Sequence, residues 1–240
     1  MSFNDKDFLE IEYDAWDKES NSLISPTSEQ HAKDAGAYNK DARYGPALVI
    51  LGTHSIIKGL DRELRGMELN SAKKFTFTPE DAFGARQEDL VRVMPLSEFR
   101  SRNINPYPGM HVDLEDSHAI VKSVNSGRVV VDLNHEFAGH SIEYEVKVVR
   151  KLDKTEEKIA ALGRTYAAEP TSVEISDGTA TLEYGAKVSK NIDYFIGRAN
   201  VIAASFSYID GISKVNVKEE YEKAAEKKEE NEGKEGKEDK

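Results

Sequence analysis

The 240-residue chain contains no cysteine. That excludes disulfides, thiolate nucleophiles and thiolate-ligated metals, and it fits a reducing compartment, so a cytoplasmic location is expected. No segment approaches the roughly 18 consecutive apolar residues of a membrane-spanning helix. The amino-terminal MSFNDKDFLEIEY is acidic and mixed, unlike a secretory leader. Basic residues are outnumbered, 33 Lys and Arg against 44 Asp and Glu, giving a net charge of −11. That sign argues against non-specific binding to nucleic acid or an anionic membrane. It suits a protein that must stay dispersed near sticky partners. Residues 46–84 hold no obvious nucleophile, phosphate loop or metal cluster.

What is present suggests recognition rather than covalent chemistry. Apolar residues make up 38% and charged residues 32%, enough for real but modest cores. The length allows one large or two to three small domains. FLEIEY alternates apolar and polar and reads as an opening strand; residues 14–21 read as a polar turn. Residues 27–33 carry a short helix signal. PALVIL is a compact buried strand, ended by Gly52. Ile56, Ile57, Leu60 and Leu64 have helical spacing, with Ser55 placed as the cap and Gly66 as the stop. KKFTFT is a strand with one wet face, and PEDAFG is a loop.

From residue 89 the texture changes. DLVRV reads as a strand that meets Pro95, LSEFRS as a turn or short helix, and NINPYPG as a loop. HVDLED, HAIVKSV and RVVVDLN read as a three-stranded meander. SIEYEVKVVR is again a long alternating strand, able to rejoin the first sheet. Further on, TEEKIAALGRTY reads as a helix ended by Gly163, and VEISDGTATLEY as a hairpin around Asp177-Gly178. Residues 190–206 place Ile192, Phe195, Ile196, Ala199, Ile202 and Ala203 on a helical stripe, and ISKVNVKEEYE closes the pattern as a strand. Residues 219–240 are almost all Glu, Lys, Gly and Asn and read as a charged disordered tail.

YGPALVILGTHSIIKGLDRELRGM, FTPEDAFG and VVVDLNHEFAGHSIEYEVKVV, in that order and spacing, resemble the FKBP family of peptidyl-prolyl cis/trans isomerases. The I-I-K-G-L-D helix start, the block inserted between AFG and NHEFAG, and the extra carboxy-terminal unit resemble its SlyD-like branch, in particular the long archaeal members. The resemblance spans residues 8–150. It implies an α+β architecture, with an FKBP-like antiparallel sheet wrapped on a short helix (1–86 and 136–153) and a small mainly-β insert-in-flap domain (87–135); the order of the elements beyond it suggests a carboxy-terminal β-β-α-β domain (154–218). Rotation about an X-Pro bond faces a barrier of about 18–20 kcal/mol, transfers no proton and needs no covalent intermediate. A dry apolar pocket and one or two hydrogen bonds suffice, so no cofactor or metal is expected.

Position by position, the resemblance implies a catalytic pocket of Tyr13, Ile56, Ile57, Leu60, Phe83 and Tyr144. Ile24, Val49 and Phe137 extend it as substrate contacts. Leu60 stands where many members have tryptophan, Phe83 where tyrosine is common, and the backbone N–H of Ile57 where the substrate carbonyl is held. Ser25, after Ile24, replaces the family's pocket aspartate. The alternative for Ile56, Leu60, Phe83 and Tyr144 is plain core packing. The insert carries Val93, Met94, Leu96, Phe99, Tyr107 and Met110, an apolar surplus that the resemblance reads as a polypeptide-binding surface and a bland reading as a decorative module. The implied partners are unfolded, proline-containing polypeptides, with a homodimer through the carboxy-terminal unit or client binding there. A chaperone or assembly protein with little isomerase activity is the alternative. The family's His/Cys-rich metal-binding tail is absent, and His135 with His140 would need a third ligand to hold a metal.

Overall fold

The computed structural model describes residues 2–114, 117–186, 188 and 192–222. The chain divides between Lys154 and Thr155 into two compact units. The tail expected to be disordered lies, from residue 223 on, outside the described residues. Glu219, counted with that tail, is instead the last residue of a strand and accepts hydrogen bonds from the side chains of Tyr194, Arg198 and Tyr221.

The first unit is built on β1 (Phe8–Asp17), a strand longer than its alternating FLEIEY core. Ala15 and Trp16 continue it into the stretch expected as a turn, because ten pairs from Phe8↔Leu152 to Asp17↔Ile142, with one register shift between Glu10 and Ile11, tie it to β9 (Ile142–Leu152). Its other edge is shared. β2 (Ser22–Pro26), not foreseen as a strand, pairs with its second half, and β3 (Ala47–Ile50) with its first. β4 (Ala72–Phe77) completes the sheet on the far side of β9, and all four pairings are antiparallel. Between β2 and β3 lies α1 (Glu29–Asp34), capped by the Ser28 side chain, which accepts from the His31 N–H. The inward residues Leu9, Ile11, Ala15, Ile142, Val146 and Val148 form one core with Leu60 and Leu64 of α2 (Lys58–Leu64).

α2 starts two residues later than the apolar spacing suggests. Ile57 is its cap residue, with extended backbone, and no side chain caps it; the Ser55 hydroxyl instead donates to the Ile50 carbonyl at 3.4 Å. Gly59 is fixed by packing: a Cβ there would stand 2.4 Å from the Phe77 ring and 3.0 Å from the Asp81 carbonyl.

The inserted module is a meander with strand order β5-β8-β7-β6, formed by β5 (Val91–Pro95), β6 (His111–Leu114), β7 (Ser117–Asn125) and β8 (Arg128–Asp132). α3 (Leu96–Ser101) covers it, burying Phe99 among Val112, Leu114, Ala119, Val121, Val129 and Val131. Two connecting segments form a neck to the main sheet. There Asn134 behaves as a strand partner: its Nδ2 donates to the Gln87 carbonyl at 2.9 Å and its Oδ1 accepts from the Gln87 N–H at 2.8 Å. Asp132 accepts from Asn134 and pairs with Arg86 and Lys122. Burial pushes its carboxyl up, but the Asn134 bonds and the Arg86 charge outweigh that and hold it below the ordinary aspartate value.

The second unit comprises α4 (Thr155–Tyr166), β10 (Ser172–Ser176), β11 (Thr179–Tyr184), α5 (Ile192–Tyr208) and β12 (Lys214–Glu219), an α-β-β-α-β order rather than β-β-α-β. Asp177 and Gly178 turn the β10–β11 hairpin, both with positive φ. β12 joins β11 in parallel after the α5 crossover. Gly163 does not end α4. It lies inside the helix, buried, because a Cβ would meet the Ala168 carbonyl and Pro170 at 2.8 Å. At Gly197 of α5 a Cβ would stand 1.8 Å from the Tyr166 carbonyl, so glycine sets that close approach of the two helices. The apolar stripe on α5 faces outward: Ile192 is 75% and Ile196 67% exposed, and Phe195 and Phe206 are partly exposed. Tyr194, Gly197, Val201, Ala204 and Ser205 face in, so apolar periodicity identified the helix but not its buried side.

Gly59→Ala is expected to lower the stability of the first unit by about 1–3 kcal/mol, since Phe77 or the helix must shift. A fall in the urea midpoint measures this; an unchanged midpoint would mean that the helix-to-sheet spacing is loose.

Candidate functional site

The site lies on the inner face of the first sheet and grows from three local devices. The first is the β1–β2 pairing. Thr27 Oγ1 accepts from the Tyr13 N–H at 2.8 Å and donates to the Tyr13 carbonyl at 3.0 Å, which fixes the backbone around Tyr13. The Tyr13 ring then sits 5.4 Å from the Tyr144 ring of β9, and its hydroxyl is 3.4 Å from Ser25 Oγ. Ser25 therefore stands beside the Tyr13 hydroxyl.

The second device is the loop after β4. The Pro79 carbonyl accepts from the N–H groups of both Ala82 and Gly84, and Gly84 has φ +83°. This tight turn presents Phe83 without a neighbouring backbone strand. Asp81 is clamped by a two-pronged bond from Arg62 of α2, at 3.0 and 2.9 Å, so the loop is tied to the helix.

The third device is the segment between the neck and β9. Its His135 ring lies almost parallel to Phe83, 4.2 Å away, and Phe137 lies 5.8 Å from Phe83. His140 follows, 6.2 Å from Phe137, with its Nδ1 2.9 Å from Asp17 Oδ1. Asp17 is buried at the end of β1 and accepts as well from Ser20 Oγ, the Ser20 N–H and the Glu19 N–H. Burial pushes its carboxyl up, but the bonds from Ser20, Glu19 and His140 prevail and hold it far below the ordinary aspartate range. Asp17 thus fastens this segment to β1.

Each expected site residue can now be placed. Tyr13, Ile24, Ile56, Ile57, Phe83 and Phe137 are half-buried and pack against one core. Leu60, Val49 and Tyr144 lie beneath that ring; Leu60 and Val49 have no exposed surface and Tyr144 is 7% exposed. Burial, with Tyr13 nearby, pushes the Tyr144 hydroxyl above the usual tyrosine range, so it stays a neutral donor. Among the described residues no group bonds the Ile57 N–H. The arrangement offers dry apolar walls, neutral hydroxyls and one unengaged backbone donor.

Sequence reasoning did not single out Phe75 and Phe77, whose rings extend the aromatic cluster on the sheet side; Phe77 meets Tyr144 at 6.1 Å. Their alternation in KKFTFT already put them on one face. The stacking partner of Phe83, His135, had no such signal, because it depends on a loop contact. His135 and His140 do not pair as joint metal ligands: His135 stacks on Phe83, while His140 faces Asp17 and Glu19. In the insert, Tyr107 and Val93 are each 61% exposed, whereas Met94, Leu96 and Met110 are half-buried on the module's core. Phe99 is 1% exposed and holds that core together, with no surface to present.

Comparison with known proteins agrees with this geometry. Residues 3–98 match the FKBP-type peptidyl-prolyl cis-trans isomerase family, and residues 92–137 match the IF domain of FKBP26. A short-type peptidyl-prolyl cis-trans isomerase from Methanocaldococcus jannaschii is 30% identical over 126 residues, 52% of this chain and 80% of that protein. The chain belongs to the FKBP-type peptidyl-prolyl cis-trans isomerases. Within that family it is homologous to proteins named SlyD: the Vibrio cholerae one is 30% identical over 145 residues, 59% of this chain and 72% of the relative. A 16 kDa FKBP-type isomerase of Escherichia coli is 28% identical over 109 residues, 43% of this chain and 72% of that protein. Among the described residues no helix is long and apolar enough to cross a membrane.

Because the folded state holds the Asp17 carboxyl below its unfolded value, its stabilising effect is full above about pH 4 and is lost as pH falls through the folded-state value. The gap in urea midpoint between the wild type and Asp17→Asn is expected to be widest near pH 6 and to shrink below pH 4. A gap that stays constant down to pH 2 would show that the charge contributes nothing.

Proposed function

We propose that the chain catalyses cis/trans rotation of X-Pro bonds in unfolded polypeptides and captures those polypeptides beside the pocket. The observation that carries this reading is the half-buried ring of Tyr13, Ile24, Ile56, Ile57, Phe83 and Phe137 above a buried base of Leu60, Val49 and Tyr144. Such a pocket takes a prolyl ring out of water and favours the twisted, less polar amide; each ~1.4 kcal/mol of that preference is a tenfold rate gain. The Ile57 N–H serves the substrate carbonyl that follows proline. The isomerase domain takes residues 1–86 and 136–153, and residues 87–135 are the client-binding insert. In the insert Val93, Met94, Leu96, Tyr107 and Met110 form the contact surface, with Phe99 as support beneath. Tethered capture of this kind raises the local concentration of prolyl bonds at the pocket. Zero cysteines fit a cytoplasmic setting.

A second reading, a holdase with little isomerase activity, is favoured by Ser25, which leaves the pocket without its carboxylate. A protease-coupled assay on an Ala-X-Pro-Phe peptide separates the two. The wild type is expected to accelerate isomerisation, Phe83→Ala to reduce kcat/KM about tenfold, and Ser25→Asp to raise it several-fold. No acceleration by the folded wild type would leave the holdase reading. Deleting residues 89–133 joins segments that Gln87 and Asn134 already hold together. The deleted form is expected to keep short-peptide activity and lose suppression of client aggregation; retained suppression would move client binding off the insert.

The carboxy-terminal unit, residues 154–218, is proposed to form a homodimer through the outward face of α5, where Ile192, Phe195, Ile196 and Phe206 make an apolar stripe. Light scattering is expected to give twice the chain mass, falling to the monomer for Ile196→Glu. A wild-type monomer would assign the stripe to clients instead.

A further inference from the structure

We infer that the outer face of the insert carries a binding site for a transition-metal dication, formed by His111 and His118 and oriented by Asp113. The three residues lie on the β6–β7 hairpin, where Asp113 pairs with His118 and His111 with Ile120. Alternation puts all three side chains on one sheet face, opposite the buried Val112, Leu114 and Ala119. His118 Nδ1 is 2.7 Å from Asp113 Oδ1, and His118 Nε2 is 3.1 Å from His111 Nδ1.

These distances fix the chemistry. A carboxylate only accepts, so the neutral His118 ring carries its proton on Nδ1 and donates it to Asp113. Its Nε2 lone pair is thereby aimed at His111. This is the relation found around metal-bound histidines, whose second nitrogen is held by a carboxylate that sets tautomer and ring orientation. Two nitrogens bound to one zinc ion at about 2.0–2.1 Å, with bond angles near 90–109°, stand about 2.8–3.4 Å apart. The His111–His118 separation already falls in that interval. To bind, His111 gives up its Nδ1 proton and takes one from water at Nε2, so its Nδ1 lone pair faces the ion and no net proton is released. Exposed on the hairpin, the ion keeps water in its remaining positions. Imidazole ligands select Zn2+, Ni2+ or Cu2+ over Mg2+ or Ca2+.

A second cluster, Asp17, Glu19 and His140, also brings ligand atoms within 4.8 Å of one another. It makes a poorer site. The Asp17 oxygens already accept from His140, Glu19 and both donors of Ser20, so an ion would have to displace the bonds that fasten the segment before β9. It supplies the competing outcome.

The test is zinc chloride titrated calorimetrically into the full chain, with histidine ring signals followed by NMR. One equivalent of zinc is expected, shifting the rings of His111 and His118. His111→Ala and His118→Ala should each weaken binding at least tenfold, and Asp113→Asn about tenfold or more, since an outer-shell carboxylate commonly contributes that much. Circular dichroism and the urea midpoint check that these exposed substitutions leave the fold intact. No zinc uptake by the wild type, uptake unchanged in the His111→Ala/His118→Ala double variant, or loss only in His140→Ala would each overturn the assignment. Replacing zinc with magnesium should give no binding; equal binding of magnesium would also overturn it.

Discussion

The first unit depends on one long-range pairing, β1 with β9. Ten residue pairs join segments more than a hundred residues apart in sequence, so closing the loop carries a large entropic cost before any contact forms. Once closed, the pairing supplies nearly everything the site needs. It sets Tyr13 against Tyr144, gives β2 and β3 an edge to join, and gives β4 the opposite edge. The segments after β4 and before β9 are then brought close enough for Phe83 to stack on His135. The Asp17–His140 bond fastens the end of that same ladder.

The same closure explains how an entire module can sit inside the chain. Gln87 and Asn134 bond to each other in both directions, so the insert leaves and re-enters at one point. Its core of Phe99, Val112, Val121, Val129 and Val131 is separate from the core of the main sheet. Two separate cores joined at a narrow neck let the half-buried ring around Phe83 and the exposed Tyr107 and Val93 be packed independently of one another.

Much of the fold was legible because its signals are local. The alternation of FLEIEY and SIEYEVKVVR and the compact PALVIL run in the first unit, and the Asp177-Gly178 turn in the second, each report a backbone state set by neighbouring side chains. Where local signals failed, a tertiary contact had prevailed. Gly163 looks like a helix stop in sequence, yet it lies inside α4, as Gly197 lies inside α5, where another backbone passes too close for a Cβ. Ser55 looks like a cap but bonds back to Ile50, since α2 begins two residues later. The stripe on α5 has clean helical spacing, but spacing carries no information on which side the sheet lies.

The sequence by itself determined the family and most of the strands and helices of the first unit, β2 excepted, because periodicity, turn residues and ordered motifs are written along the chain. Only the tertiary structure decided which residues meet. It buried Leu60 and Val49 completely, brought His135 onto Phe83, set Ser25 beside Tyr13 and placed His118 between Asp113 and His111. Those contacts depend on strand register and on loop closure, and neither is encoded in any short window of residues.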